Sequence, residues 1–175
     1  MTASKDRRPA MGARDIVLYG LLGAVLLVAK LALAFLPNIE PVSLLVLVYT
    51  LVLGRDVFYI VYTFALLEGL VFGFHLWWVS YLYVWPLWAG AVLLLRRGGE
   101  RPALFWAVAS GAFGLSFGAL CALPYLAGGP WAALSYWMAG IPFDLLHCGG
   151  NFFLTLTLEQ PLYRLLAGAK SRIRR

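Results

Sequence analysis

Charge is scarce in this chain. Asp, Glu, Lys and Arg make up 13% of its 175 residues, against about 25% in soluble domains. Cysteine is scarcer still. Cys121 and Cys148 lie in apolar stretches without metal-ligand spacing, which argues against a disulfide framework or a zinc site and makes them small packing residues. No GxxxxGK[ST] stretch is present, so any ATP-driven activity needs a separate ATPase. No HExxH is present either. Ser110 in "ASGAFG" and His147 lack the surroundings of an intramembrane serine hydrolase. An enzyme is therefore disfavoured, and neither a cofactor nor a metal is expected. Internal repeats, low-complexity runs and linkers are also missing, so the chain reads as one domain with short polar ends, Met1 to Arg14 and Gly168 to Arg175.

What the chain has in abundance is apolar sequence. With 62% apolar residues and a mean hydropathy of +0.83, it reads as an all-α, polytopic membrane protein. A crossing needs about 20 apolar residues, and hydropathy gives six segments, near 16–36, 41–53, 57–74, 78–95, 103–126 and 142–160. They are separated by Pro37 to Pro41, Gly54-Arg55-Asp56, Phe74 to Trp77, Arg96 to Pro102 and Gly128-Gly129-Pro130. Trp131 to Ala139 is too short to cross and reads as an interfacial or re-entrant piece. A leader ending at Ala32-Leu33-Ala34 is considered and set aside, because the preceding apolar run is longer than a signal-peptide core.

Charge placement gives the orientation. Of the 14 Lys and Arg residues, all but Lys30 lie in the N-terminal tail, at Arg55, between Arg96 and Arg101, or from Arg164 onward. Six crossings put those places on one side, the cytoplasm by the positive-inside rule, with both termini there. The net charge of +6 thus reads as topology and contact with anionic lipid rather than nucleic-acid binding.

Against this apolar background the polar residues stand out. Asp144, His147 and Asn151 recur at i, i+3 and i+7 and so share one helix face. At 1.5 Å per residue, Lys30 lies about 21 Å and Glu68 about 16 Å from the cytoplasmic end of their segments, while Asp144, His147 and Asn151 lie about 3, 8 and 14 Å from the outer end of theirs. All five fall in the outer half. An ionisable group there costs about 3 kcal/mol on insertion scales and usually faces a partner or a cavity. Together they suggest one outward-facing pocket.

Each also has a structural reading. Lys30 snorkels to the headgroups or pairs with Glu68. Asp144 follows Pro142 and complements a helix start. His147 and Asn151 bond neighbouring helices. In the fourth segment Trp78, Tyr81, Trp85 and Trp88 share a face by their 3-4-3 spacing. Trp77 and Trp78 suit the interfacial belt, and Trp88 suits helix packing. If that face meets the polar groups, the pocket pairs π surfaces with carboxylates and suits a planar, cationic heterocycle. Tyr136 and Trp137 then supply a lid.

The runs "KLALAFLPNIEPVSLLVLVYT" (Lys30 to Thr50) and "YWMAGIPFDLLHCGGNFFL" (Tyr136 to Leu154), with six segments in under 180 residues and basic cytoplasmic ends, resemble a substrate-binding S component of an energy-coupling factor vitamin transporter. The resemblance covers nearly the whole chain. It implies a multi-pass protein of a prokaryotic plasma membrane that binds a vitamin or vitamin precursor within an ABC-type importer. It also implies a transmembrane coupling subunit and two cytoplasmic ATPases as partners. Family members dock on the coupling subunit through two small residues four apart in the first helix, usually alanines; Gly20 and Ala24 stand at that spacing here. Their first outer loop caps the ligand, which makes Asn38 and Glu40 of "LPNIEPV" candidates beside Glu68, Trp78, Tyr81, Trp85, Tyr136, Trp137, Asp144, His147 and Asn151. Substrate identity does not transfer within so diverse a family. The competing reading is a structural subunit of another membrane complex, in which the polar groups pair internally and leave no cavity.

Overall fold

A computed structural model describes residues 11–36 and 38–173; the tail up to residue 10, Pro37 and residues 174–175, all part of the sequence expectations above, lie outside them. The described residues are helical and turn structure without a strand. Six α-helices follow in order: α1 (Ala13–Ala32), α2 (Val42–Leu53), α3 (Val57–Phe72), α4 (Leu76–Leu95), α5 (Ala103–Cys121) and α6 (Pro130–Ile173). Short 3₁₀ turns at Gly54–Asp56, Arg96–Gly98 and Leu123–Gly128 join or extend them. Four helical stretches, Ala13–Ala32, Val42–Phe72, Leu76–Gly98 and Ala103–Gly128, are long and apolar enough to cross a membrane. That is consistent with a multi-pass membrane protein.

The helix ends follow local chemistry. Asp15 accepts the Gly12 N–H at 3.0 Å and opens α1. Gly54 (φ +69°) and Gly73 (φ +89°) take the left-handed backbone that ends α2 and reverses the chain between α3 and α4, a conformation glycine adopts without a Cβ penalty.

Helix α2 is buried nearly all round: Val42, Leu44, Val46, Leu47 and Val48 have almost no exposed surface. It is the central element, touching α4 and α6 most, as a helix apolar on every face must. Helix α1 lies mainly on α3. A Cβ built on Gly23 would come 2.8 Å from Thr63 Cγ2 and 3.2 Å from the Ile60 carbonyl, so glycine there lets the two helices close. Tyr19 stacks on Tyr59 at 5.7 Å and donates to Asp56 at 2.9 Å. The outward surface carries Val17, Leu21, Leu70, Val108 and Leu165, each more than half exposed, a surface that water does not favour over this extent.

The largest departure from the sequence reading is α6. Trp131 to Ala139, expected as a separate interfacial piece, is instead the start of one 44-residue helix with Pro142 and Pro161 inside it. Proline removes one backbone bond and frees the carbonyl four residues earlier. For Pro142 that carbonyl belongs to Met138, an exposed position, and a single freed group does not end the helix.

Candidate functional site

Where α1 ends, the loop before α2 bends over α3 and α4 and leaves a cavity of about 490 Å³, lined by Lys30, Asn38, Glu40, Glu68, Trp77 and Tyr81 among others. Lys30 comes from the last turn of α1. Its Nζ donates to Glu68 Oε2 at 2.6 Å and to Tyr81 Oη at 3.0 Å. The ammonium also stands 5.0 Å from the Tyr81 ring centre and 5.5 Å from that of Phe72, within cation–π range. Glu68 is fully buried beneath it, and Oε1 has no partner. An unpartnered carboxylate oxygen at such a site is costly. Of the two readings for Lys30, the ion pair is the one found, with 23% of the lysine side chain still exposed.

Asn38 holds φ +55°, a value asparagine tolerates better than most residues, and stands exposed at the cavity rim. Glu40 is half-buried. Burial pushes its carboxyl above the ordinary range; the Lys30 ammonium opposes the shift and the Glu68 carboxylate adds to it. The cavity thus gathers one ammonium, two carboxyl groups and aromatic walls.

The stripe of Asp144, His147 and Asn151 lies elsewhere. It faces α5, whose Gly114 and Gly118 make the slots that these residues enter, while Gly111 lets Cys148 and Phe152 of the same helix close in. A Cβ on Gly114 would stand 2.8 Å from both Asn151 Nδ2 and the His147 carbonyl, and one on Gly118 would overlap the Asp144 carboxylate. Asp144 Oδ1 accepts the Gly118 N–H at 2.9 Å. Asn151 Nδ2 donates to Ser43 Oγ at 3.0 Å and to the Ser110 carbonyl at 3.2 Å, tying α6 to α2 and α5. His147 sits edge-on to Phe117 at 4.8 Å, and neither ring nitrogen has a partner. Asp144 Oδ2, Ser110 Oγ, Thr155 Oγ1 and Trp85 Nε1 are likewise buried without one.

Between the two clusters run aromatic rings. Tyr81 meets Trp85 at 5.6 Å, Trp85 meets Phe117 at 5.5 Å, and Phe117 meets His147. Glu68 therefore faces Lys30 and Tyr81 rather than the stripe, and Trp85 is wholly buried between the groups. Loop residue Ile39 packs on Gly150, where a Cβ would come within 3.3 Å of it.

The remaining candidates have other surroundings. Trp78 donates to the Ala65 carbonyl at 2.7 Å and pins α4 to α3. Trp88 donates to the Ser43 carbonyl at 2.8 Å and stacks on Phe113 at 4.7 Å. Tyr136 stacks on Tyr125 at 4.0 Å, Trp137 is exposed, and neither lines the cavity. Nothing lies within 4 Å of a Cβ built on Gly20, and Ala24 is half-buried.

Sequence reasoning set Trp77 aside as a belt residue and did not single out Phe72, yet both line the cavity. It also passed over the α5 glycines, whose spacing of three and four in "SGAFGLSFG" marks one helix face open to close packing. Among the described residues, no three His, Cys, Asp or Glu side chains are grouped to hold a metal. No protein-family model matches the chain, and neither the curated proteins nor the solved structures hold a match.

Proposed function

We propose that this chain is the substrate-capturing subunit of an ATP-driven importer of the energy-coupling factor type, binding a small vitamin or vitamin precursor in the cavity under the α1–α2 loop. The observation that carries the reading is the combination in that cavity of the Lys30–Glu68 pair, the unpartnered Glu68 Oε1 and the Tyr81, Trp77 and Phe72 walls. Its volume falls in the range of small-molecule sites, about 300–1,000 Å³, which are mostly apolar with a few convergent polar groups. One ammonium facing two carboxyl groups leaves room for a positive group on the ligand, with a flat ring against the aromatics. In this proposal the chain crosses a prokaryotic plasma membrane six times with both termini in the cytoplasm. The cavity opens outward, and α6, about 66 Å long at 1.5 Å per residue, projects beyond the bilayer. A coupling subunit docks at Gly20 and Ala24, and two cytoplasmic ATPases supply the energy.

A second reading has its own support. The internal pairing of Lys30 with Glu68, and of Asn151 with Ser43, is what a purely structural subunit needs. Native mass spectrometry of the gently purified protein separates the two. A co-purified small organic molecule, lost from Glu68→Gln while that variant still folds, supports capture. A ligand-free protein that stays so when offered the medium's vitamins and precursors supports the structural role.

A further inference from the structure

At the opposite end of the bundle a second cavity, about 1260 Å³, opens between α1, the α2–α3 turn and the last half of α4. Helix α2 explains it. It ends after twelve residues, about 18 Å, and the turn at Gly54–Asp56 that follows lines the cavity together with the first turns of α1 and the last turns of α4.

The cavity's cations divide into two kinds. Arg96 Nη1 donates to the Thr50 carbonyl at 2.9 Å and Lys170 Nζ to the Val52 carbonyl at 2.6 Å; both are occupied with the carbonyls at the α2 C-terminus, where a helix favours positive charge. Arg55 and Arg97 also line the cavity and are exposed. Among the described residues their side chains make no hydrogen bond or ion pair. The lining anions are Asp15 and Asp56, and Asp56 already accepts from Tyr19. The rim is therefore net positive.

Below the rim the lining is apolar. Leu87, Gly90 and Leu94 of α4 fall at i, i+3 and i+7 and share a face. Both leucines are more than half exposed, and nothing lies within 4 Å of a Cβ built on Gly90. The slot at Gly90 makes a trough that runs from the guanidinium groups along α4.

We infer that this cavity is a binding site for one anionic phospholipid, its phosphodiester between Arg55 and Arg97 and an acyl chain along Leu87, Gly90 and Leu94. Guanidinium groups match phosphate oxygens in paired hydrogen bonds, and an acyl chain is the apolar occupant that a membrane supplies at this depth. The inference rests on the membrane placement alone and is independent of ligand capture in the other cavity.

The test uses the full chain, delipidated in mild detergent and offered equal amounts of dioleoyl phosphatidylglycerol and dioleoyl phosphatidylcholine, with retained lipid counted by native mass spectrometry. One phosphatidylglycerol is expected to be retained about tenfold over phosphatidylcholine, in line with the attraction of basic side chains near a surface to anionic lipid. Arg55→Gln with Arg97→Gln should abolish that preference. Gly90→Leu fills the trough without touching a charge, and should lower retention of phosphatidylglycerol several-fold. Equal retention of the two lipids by the wild type, or an unchanged preference in the arginine variant, overturns the site. So does unchanged retention in Gly90→Leu. Glycerol phosphate, which has no chains, should not raise the melting temperature; equal stabilisation by it and by phosphatidylglycerol would mean a simple phosphate site and overturn the lipid assignment.

Discussion

Removing either partner of the Lys30–Glu68 pair should destabilise the protein unequally, because the two ends differ in burial. Charge centres about 4 Å apart attract by roughly 4 kcal/mol at an effective dielectric near 20, and desolvating a buried carboxylate offsets several kcal/mol of that. Lys30→Met leaves Glu68, with no exposed surface, as a buried carboxylate without its counterion, at a cost of about 3–4 kcal/mol. Glu68→Gln leaves Lys30 still bonded to Tyr81 Oη and partly open to the cavity, so the loss is discounted to about 1–2 kcal/mol. In the double variant the buried charge is gone, and the total should stay near that of Glu68→Gln. The coupling energy then equals the Lys30→Met loss, about 3–4 kcal/mol. Reversible denaturation in mixed micelles measures all four proteins. Coupling below about 0.5 kcal/mol, or a Glu68→Gln loss as large as that of Lys30→Met, refutes the reasoning and would mean that the pair does not hold α1 to α3 at this end.

Three further outcomes follow from the packing. Gly23→Leu should lower stability by about 2 kcal/mol or more through overpacking against Thr63 and Ile60, whereas Gly20→Leu, with open space around its Cβ, should leave melting unchanged; equal effects in micelle melting curves would contradict the α1–α3 contact. Asn151→Ala should cost about 1–2 kcal/mol, since it releases Ser43 Oγ and the Ser110 carbonyl, but should shift ligand affinity by less than about twofold, well under the tenfold that 1.4 kcal/mol represents; a large affinity loss in calorimetry would move the stripe into the site. Glu40→Gln tests the raised carboxyl pKa. A folded-state pKa above the unfolded one stabilises the protein fully below the unfolded value and loses that contribution as pH rises through the folded value. The glutamine variant should therefore gain stability relative to wild type as pH rises above 4.5, the ordinary value for this group. A constant difference, or one of opposite sign, rejects it.

How far the molecule could be read from its sequence differs from part to part. Composition implies apolar helices because an unpaired backbone cannot lie in lipid, and the break at Gly54-Arg55-Asp56 is legible as a turn signal, whereas α3 ends at Phe72 with Gly73 turning the chain, inside the segment expected to run to residue 74. The continuity of α6 through Pro142 is not legible, since one missing hydrogen bond competes with packing along the whole of α5, a tertiary effect. At the candidate site, depth along each helix gave the right level for Lys30 and Glu68, which do meet. Depth carries no information on azimuth, however. Asp144, His147 and Asn151 lie on one face as their spacing requires, but which neighbour that face meets is decided by the α5 glycines. That complementary signal, three small residues on one face, was present in the sequence and belongs to the same contact.

The central claim, that the cavity under the α1–α2 loop captures a small molecule, is tested most directly by native mass spectrometry to identify the co-purified compound, followed by titration calorimetry of that compound on wild type and on folded Glu68→Gln. Capture predicts binding to the wild type and an affinity loss of roughly 10- to 150-fold in the variant, the range for losing one charged contact of about 1.5–3 kcal/mol from a desolvated site. Wild-type affinity in a folded Glu68→Gln, or no compound bound at all, would contradict it.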